Sequence, residues 1–320
     1  MDPYFKLRIE SAKIWNDGWG RCLEPRWECS EHPIKAHSIQ NARIIDKIVR
    51  DGHVLMLSPD YHPTRPPIPE FRAIGRNKAT TFEGFCRTHD AEIFTRIDTK
   101  PIKTDDEEQL FLLAYLAATR GLHTTMAVAY KTQMSYQEAI KLGLSPGDRP
   151  CDLGMFAVER MAVAWDTYRY RIQLDEDLVA CRYDALHHRV VDIKCSKPTM
   201  AVSSLFSVPL PESSDGYFLV SLSVLPLDDT KTVVVFSWRG EDDIAAQAWI
   251  EHQIPRDLNN SAIRRRVSRL TLANCENVIF AHELVESMSE DTKEGIRSFF
   301  LTTVFKSDDG SDEMDVDLFM

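Results

Sequence analysis

The segment GFCRTHD, residues 84–90, places Cys86, His89 and Asp90 close together where a turn is expected to enter a helix. Cys86 and His89 have the Cys-x-x-His spacing of a zinc-binding turn. Zinc sites are commonly assembled from two such close pairs that project from tight turns and are distant in sequence. The sequence therefore predicts that Cys86 and His89 form one half of a metal site.

The other half is expected about sixty residues upstream, in the segment RCLEPRWECSEHPIKAH. The candidate ligands in this segment are Cys22, Cys29, His32 and His37. Cys22 and Cys29 are separated by six residues, more than in a usual zinc knuckle, whereas Cys29 and His32 have the shorter local spacing. The residues alone leave open which pair binds, and His32 is a rival ligand.

Composition limits the class of protein. The 320 residues are 43 % apolar, which is ordinary for a chain that buries a core. The N-terminus has no apolar leader and no stretch is long enough for a membrane helix, so a cytoplasmic protein without a membrane partner is expected. Seven cysteines, an odd number, argue against a disulfide framework and favour metal ligation or buried thiols.

The net charge of −11 disfavours nucleic acid as a partner over most of the chain. Residues 1–100 are the exception, with 16 basic and 14 acidic side chains. Much of the acid lies in the tail SDDGSDEMDVDLFM, 307–320, which is expected to be disordered and either solubilising, partner-binding or self-masking. The basic run IRRRVSRL, 263–270, is either a solvated helix face or a surface for nucleic acid.

The pattern of elements predicts an α+β protein in four parts. These are a loop-rich zinc-binding region over 1–100, a helical region over 101–178, an α+β domain with an antiparallel sheet over 179–305, and the acidic tail over 306–320.

Local signals place several elements within these parts. HSIQNARIIDKIVRDG predicts a short helix with Ser38 as N-cap and Gly52 as stop, and the proline-rich segment 58–71 predicts an extended surface connection. Capping boxes predict helix starts at Thr104 and Ser135, and a long helix is expected from about Asp152.

The order Cys…Cys…AHSIQ…GFCRTHD resembles the HNH or treble-clef nuclease domain, which has a cysteine pair, a histidine at a strand end and a cysteine motif at a helix entry. It also resembles an uncharacterised bacterial family with the blocks AHSIQ and ATTFEGFC-x-x-HD. The resemblance covers about residues 20–98, under a third of the chain.

This resemblance implies that Cys22, Cys29, Cys86 and His89 hold a structural zinc ion. It also implies that His37 is a general base that activates water, and that Asp90 helps to hold a catalytic Mg²⁺ or Mn²⁺ ion. Each of the last two residues has a simpler interpretation: His37 satisfies a neighbouring backbone group, and Asp90 is the N-cap of the following helix.

Three functions follow from these observations. The first is a metal-dependent nuclease whose C-terminal domain is a sensor or partner-binding module, with bacterial antiviral defence as a setting by analogy. The second is a non-enzymatic binding protein that zinc stabilises. The third is a ribonuclease of the HEPN type, because Arg182 and His187 have the Arg-x4-His spacing of that family. The sequence does not fix the oligomeric state.

Overall fold

A computed structural model describes residues 2–62, 65–210, 216–305 and 314–320. The chain forms two compact units, each assembled from separate segments. Unit 1 comprises Met1–Ala36, Phe82–Ala91 and Ala118–Cys181, and unit 2 comprises His37–Thr81, Glu92–Ala117 and Arg182–Met320.

Eight α-helices are present among the described residues. They are α1 Pro3–Asn16, α2 Arg87–Thr99, α3 Glu107–Lys141, α4 Asp152–Val179, α5 Asp243–Gln253, α6 Asn260–Asn274, α7 His282–Ser287 and α8 Glu290–Phe305. None of these helices combines the length and the apolar character that crossing a bilayer requires.

Nine strands are present in the same part of the chain. They are β1 Ile34–His37, β2 His53–His62, β3 Arg65–Gly75, β4 Thr81–Phe85, β5 Leu186–Lys194, β6 Met200–Pro209, β7 Tyr217–Pro226, β8 Lys231–Arg239 and β9 Val278–Phe280. β1 pairs with β4, and the other seven form one sheet in the order β3-β2-β9-β6-β7-β8-β5. The predicted α+β class, with a helical middle and a C-terminal antiparallel sheet, is confirmed.

The sheet of unit 2 is buried on both faces where β8 crosses it. Val234 and Phe236 pack into the main core, whereas the alternate residues Val233 and Val235 pack against Leu110 on the other face. Side chains of a strand point alternately to opposite faces, so a strand covered on both sides needs a continuous apolar run. This explains the sequence TVVVFSW.

The helix predicted over HSIQNARIIDKIVRDG is wrong, because only a 3-10 turn forms there, at Ile45–Lys47. Ser38 does not cap a helix: its amide and its hydroxyl both donate to the carbonyl of Thr80, at 3.1 and 2.8 Å. The apolar residues that suggested a helix are buried instead from an irregular loop. Gly52, with φ of +74°, is the second central residue of the turn between Arg50 and His53 that leads into β2.

Two further element predictions are corrected. The proline-rich segment is not a simple connection, because it contributes to the paired strands β2 and β3, in which Pro59 lies opposite Pro69. Ser135 does not start a helix, because α3 continues through it without a break. No proline lies in α3 before Ser135, so the helix does not end there and the Ser135 capping box lies inside it.

The end of the chain is packed rather than disordered over residues 314–320. Leu318 and Phe319 lie in the core of unit 2, and the Leu318 carbonyl accepts a hydrogen bond of 2.7 Å from Thr199. Asp315 and Asp317 pair with Arg265 and Arg264 on α6. Two of the four arginines in the run 263–270 are thus paired with the acidic end of the chain. Residues 306–313 of the predicted tail lie outside the described part of the chain.

Candidate metal centre

The loop between Cys22 and Cys29 is organised by a buried carboxylate that the sequence analysis did not single out. Glu24 is 5 % exposed, and it accepts hydrogen bonds from the backbone amides of Arg26, Glu28 and Cys29. Trp27, inside the loop, has a φ of +62°, in the left-handed region. The Glu24 carboxylate therefore accepts hydrogen bonds from several backbone amides of the loop, as the side chain of an N-cap residue does at the start of a helix.

Burial alone raises the pKa of a carboxyl group, but the three amides and the positive potential of His89 outweigh it and lower the pKa of Glu24 below its usual value. Glu24 is therefore ionised at neutral pH. A glutamate two residues after a candidate ligand cysteine is the only sequence signal for this role, and it is not specific.

Two backbone contacts attach this loop to β4. The Leu23 amide donates to the Gly84 carbonyl at 2.7 Å, and the Cys86 amide donates to the Cys22 sulfur at 3.3 Å. Gly20 comes so close to β4 that a Cβ atom there would lie 2.6 Å from the Glu83 Cβ. These contacts bring the cysteine loop to the junction of β4 and α2.

Cys86 lies at this junction, and His89 lies in the first turn of α2. The Nδ1 atom of His89 is 3.2 Å from the Cys86 sulfur and 3.4 Å from the Cys22 sulfur, and the Cys29 and Cys86 sulfurs are 3.9 Å apart. The ligand atoms of Cys22, Cys29, Cys86 and His89, hereafter the metal-ligand group, all lie within 4.8 Å of one another. The group could hold a metal ion.

The thiols of the group differ in their readiness to ionise. Burial raises the pKa of Cys22. Burial also acts to raise the pKa of Cys86, but the His89 amide and the neighbouring Cys22 and Cys29 thiols outweigh it and lower the value. Cys86 is therefore expected to ionise more readily than Cys22, and a bound cation would favour ionisation of a thiol that coordinates it.

A buried arginine of α4 holds the loop through the backbone of Leu23. Arg171 is completely buried, pairs with Asp175, and donates to the Thr119 hydroxyl at 2.7 Å and to the Leu23 carbonyl at 3.1 Å. Asp175 in turn accepts a hydrogen bond of 3.3 Å from the indole of Trp27. Arg171 was not anticipated from the sequence, because a charged residue on a long helix usually indicates an exposed position.

The other predicted site residues lie apart from the metal-ligand group. His32 is exposed and does not belong to the group. His37 ends β1 and donates from Nδ1 to the Ala79 carbonyl at 2.9 Å, and burial and the charge of Arg76 lower its pKa. The imidazole is therefore neutral at pH 7, with its Nε2 lone pair available.

Asp90 does not cap α2, because the helix begins at Arg87 and the Asp90 amide already donates to the Cys86 carbonyl at 3.0 Å. Its carboxyl group is partly buried, and burial raises its pKa. Asp90 belongs to unit 1 and His37 to unit 2.

The Arg-x4-His pair does not lie on one helix. Arg182 precedes a 3-10 turn, and His187 is on β5. His187 lines a cleft of about 1010 Å³ in unit 2, where its Nδ1 atom is 2.5 Å from an Asp243 carboxylate oxygen. The same oxygen accepts a hydrogen bond of 3.0 Å from Trp238. The polar groups in this part of the cleft are thus bonded to one another.

Comparisons of the chain with protein-family models, with curated proteins and with solved structures find no match.

Proposed function

We propose that the metal-ligand group binds one structural zinc ion, and that the chain is a metal-dependent nuclease of the HNH-like type. Tetrahedral zinc, at its usual bond lengths, separates two sulfur ligands by about 3.8 Å and a sulfur from a nitrogen ligand by about 3.6 Å. The corresponding separations are 3.9 Å between the Cys29 and Cys86 sulfurs and 3.2 to 3.4 Å from sulfur to His89 Nδ1. These distances carry the zinc assignment.

The composition of the group supports a structural rather than a catalytic zinc. Three thiolates and one imidazole complete the tetrahedron, whereas a catalytic zinc keeps a position for water. Two of the ligands, Cys22 and Cys86, are also buried from solvent. The zinc would order the cysteine loop and the start of α2, and the hydrolytic chemistry would fall to other residues.

The hydrolytic part of the proposal rests on the resemblance and on the state of His37. A general base must be unprotonated at the working pH and held in one orientation. The lowered pKa of His37 and its Nδ1 bond to the Ala79 carbonyl satisfy both conditions and leave Nε2 to take a proton from water. The expected substrate is a phosphodiester, either DNA or RNA.

Asp90 is the proposed protein ligand of a catalytic Mg²⁺ or Mn²⁺ ion. Such ions are commonly bound by one or two carboxylates together with waters and substrate phosphates. Among the described residues, no second group of three clustered ligands accompanies Asp90. The ion, when bound, would polarise the scissile phosphate, and it would depend on the substrate for part of its coordination.

A non-enzymatic zinc-stabilised protein is the second candidate. It is favoured by the same Ala79 contact, because a histidine that satisfies a buried carbonyl needs no catalytic role. The pairing of Arg264 and Arg265 with the C-terminal aspartates also reduces the basic surface that is open to nucleic acid.

The first test measures metal content by mass spectrometry of the purified protein. About one zinc per chain is expected in the wild type and in Cys151→Ser, a half-buried cysteine of unit 1 outside the group, and much less in Cys86→Ser. A wild-type protein that is purified without chelators, under reducing conditions, and contains no zinc would refute the assignment.

The second test measures cleavage of DNA and RNA with added Mg²⁺ or Mn²⁺. His37→Ala is expected to lose at least about 100-fold in rate with its zinc retained. His53→Ala is the matched control, because His53 also bonds to a backbone carbonyl through Nδ1, at 2.8 Å, and should remain active. A zinc-loaded wild type that cleaves neither substrate would favour the binding protein instead.

A further inference from the structure

The first half of α4 exposes its large apolar side chains and buries its small ones. Between residues 152 and 166, the buried positions are Ala157 and Ala164. The exposed apolar side chains, each at least 41 % exposed, are Met155, Phe156, Val158, Met161, Val163 and Trp165. A surface helix normally has the reverse arrangement, and a continuous exposed apolar patch marks an interaction surface.

Part of this patch has the spacing of a helix–helix contact. Met155, Val158, Ala162 and Trp165, hereafter the α4 seam, are all exposed and follow one another at intervals of three, four and three residues. This is the spacing by which side chains line one face of a helix in a coiled coil. Acidic residues repeat at seven-residue intervals beside the seam, at Asp152, Glu159 and Asp166.

Helix α1 also has an apolar surface that nothing covers, because none of its 14 residues is buried. Tyr4, Phe5 and Trp15 are 66 %, 52 % and 44 % exposed. A helix shorter than about 15 residues is marginal in water unless an apolar face packs against something. The Asp2 cap at its start supplies a small stabilisation, but a helix with three exposed aromatic rings requires a partner.

The exposed face of α1 matches the α4 seam. Phe5, Arg8, Ala12 and Trp15, hereafter the α1 seam, are all exposed and have the same intervals of three, four and three residues. Each seam is about 15 Å long, at 1.5 Å per residue. The net charges are opposite: α1 carries Lys6, Arg8 and Lys13 against Glu10, whereas the first half of α4 carries three acidic residues against Arg160, which pairs with Glu159.

We propose that the α1 seam of one copy of the chain packs against the α4 seam of a second copy, and that the reciprocal contact forms a two-fold dimer. Within one chain both seams are exposed, so neither covers the other. A second copy supplies both missing partners at once, and two-fold symmetry is the commonest closed arrangement of identical chains.

The available apolar surface is large enough for such a dimer. The six exposed apolar side chains of α4 and the three aromatic rings of α1 leave roughly 900 Å² accessible on each copy, taking about 190 Å² for each whole side chain. A standard stable interface buries about 800 Å² per partner. The two seams and their flanks together reach that size.

Sedimentation equilibrium of the full, zinc-loaded chain tests the proposal. The wild type is expected to be a dimer of the 36.6 kDa chain at micromolar concentration. Trp15→Glu and Trp165→Glu each place a charge in both contacts of a homodimer, and each should weaken association about 1000-fold, since the loss of one anchoring aromatic costs about 30-fold per contact. Ile244→Glu is the control, because Ile244 is 89 % exposed in unit 2, and it should remain dimeric.

Mixing the two tryptophan variants distinguishes this arrangement from others. In a mixed dimer the intact α1 seam of Trp165→Glu meets the intact α4 seam of Trp15→Glu, so one of the two contacts is restored and both charges fall in the other contact. A contact that one charge has already opened loses little more when the second charge is added. The mixture should therefore associate about 30-fold more tightly than either variant alone. A contact of α1 with α1, or of α4 with α4, gives no such recovery.

Two results would overturn the proposal: a wild type that is monomeric at about 100 µM, where even a weak interface assembles, or variants that fail to recover on mixing. Circular dichroism and zinc content establish that each variant is folded. Both readouts are independent of nuclease activity.

Discussion

Replacement of Arg171 with methionine is expected to destabilise unit 1 by about 3–5 kcal/mol, the usual cost of removing one partner from a buried ion pair. The guanidinium is completely buried and the Asp175 side chain is 4 % exposed, so water cannot replace the lost partner. Methionine keeps most of the apolar stem, which limits the cavity that is formed. The loss is therefore mainly electrostatic.

The double variant Arg171→Met/Asp175→Leu separates this charge effect from packing. An apolar pair of similar volume is often as stable as the buried ion pair it replaces. The double variant still lacks the bonds to the Leu23 carbonyl and the Trp27 indole, so it should be less stable than the wild type. It should nevertheless be more stable than Arg171→Met alone.

Urea unfolding of the purified protein, followed by tryptophan fluorescence, measures these differences. Four of the six tryptophans, at positions 15, 19, 27 and 165, belong to unit 1, so the signal reports mainly on that unit. The reasoning is refuted if Arg171→Met changes the unfolding free energy by less than about 1 kcal/mol, or if the double variant is as unstable as the two single variants combined.

Three further predictions concern local features. Glu24 has a lowered pKa, so its contribution to stability is complete above its ordinary pKa of 4.5. When unfolding is measured as a function of pH, the difference in unfolding free energy between the wild type and Glu24→Gln should shrink as the pH falls below about 4.5. Gly20→Ala should cost about 1–3 kcal/mol, because its Cβ would meet Glu83 at 2.6 Å, whereas Gly18→Ala, with its closest contact at 3.6 Å, should be nearly neutral in the same urea assay. Leu318→Ala should lower the free energy of unfolding of unit 2 by about 2–5 kcal/mol, because Leu318 is fully buried. Asp315→Ala should lower it by less than about 1 kcal/mol, because Asp315 forms an exposed ion pair. Equal effects in thermal unfolding would show that the end of the chain is not packed.

The elements that the sequence predicted well are those whose apolar pattern and termini agree. The start of α4 at Asp152 and the antiparallel sheet of the C-terminal part are examples. The failures are places where tertiary contacts prevail over local preference. Ser38 looks like a helix cap, but it bonds to Thr80, which is 42 residues away in the chain. Local sequence carries no record of such a partner.

The same distinction applies to the candidate metal centre. Cysteine and histidine spacing was enough to propose Cys86 and His89, because ligands in a tight turn must be close in sequence. Spacing could not choose between Cys22 and His32, because that choice depends on how the loop meets β4. The hydrogen bond from the Leu23 amide to the Gly84 carbonyl and the one from the Cys86 amide to the Cys22 sulfur place Cys22 at the site. Both are donated by backbone amides, which are present whatever the residue type, so the sequence does not reveal them.

The cysteine loop is ordered by polar interactions where apolar ones are scarce. Between residues 17 and 36, the buried apolar side chains are Cys22, Leu23 and Ala36. So few cannot offset the entropy of fixing a segment of this length. Glu24 satisfies the amides inside the loop, Arg171 holds it against α4, and the metal-ligand group ties it to α2. A loop built in this way is expected to respond to a bound metal ion and to pH, because the Glu24 contacts and the metal-ligand group depend on the ionisation of an acid or a thiol.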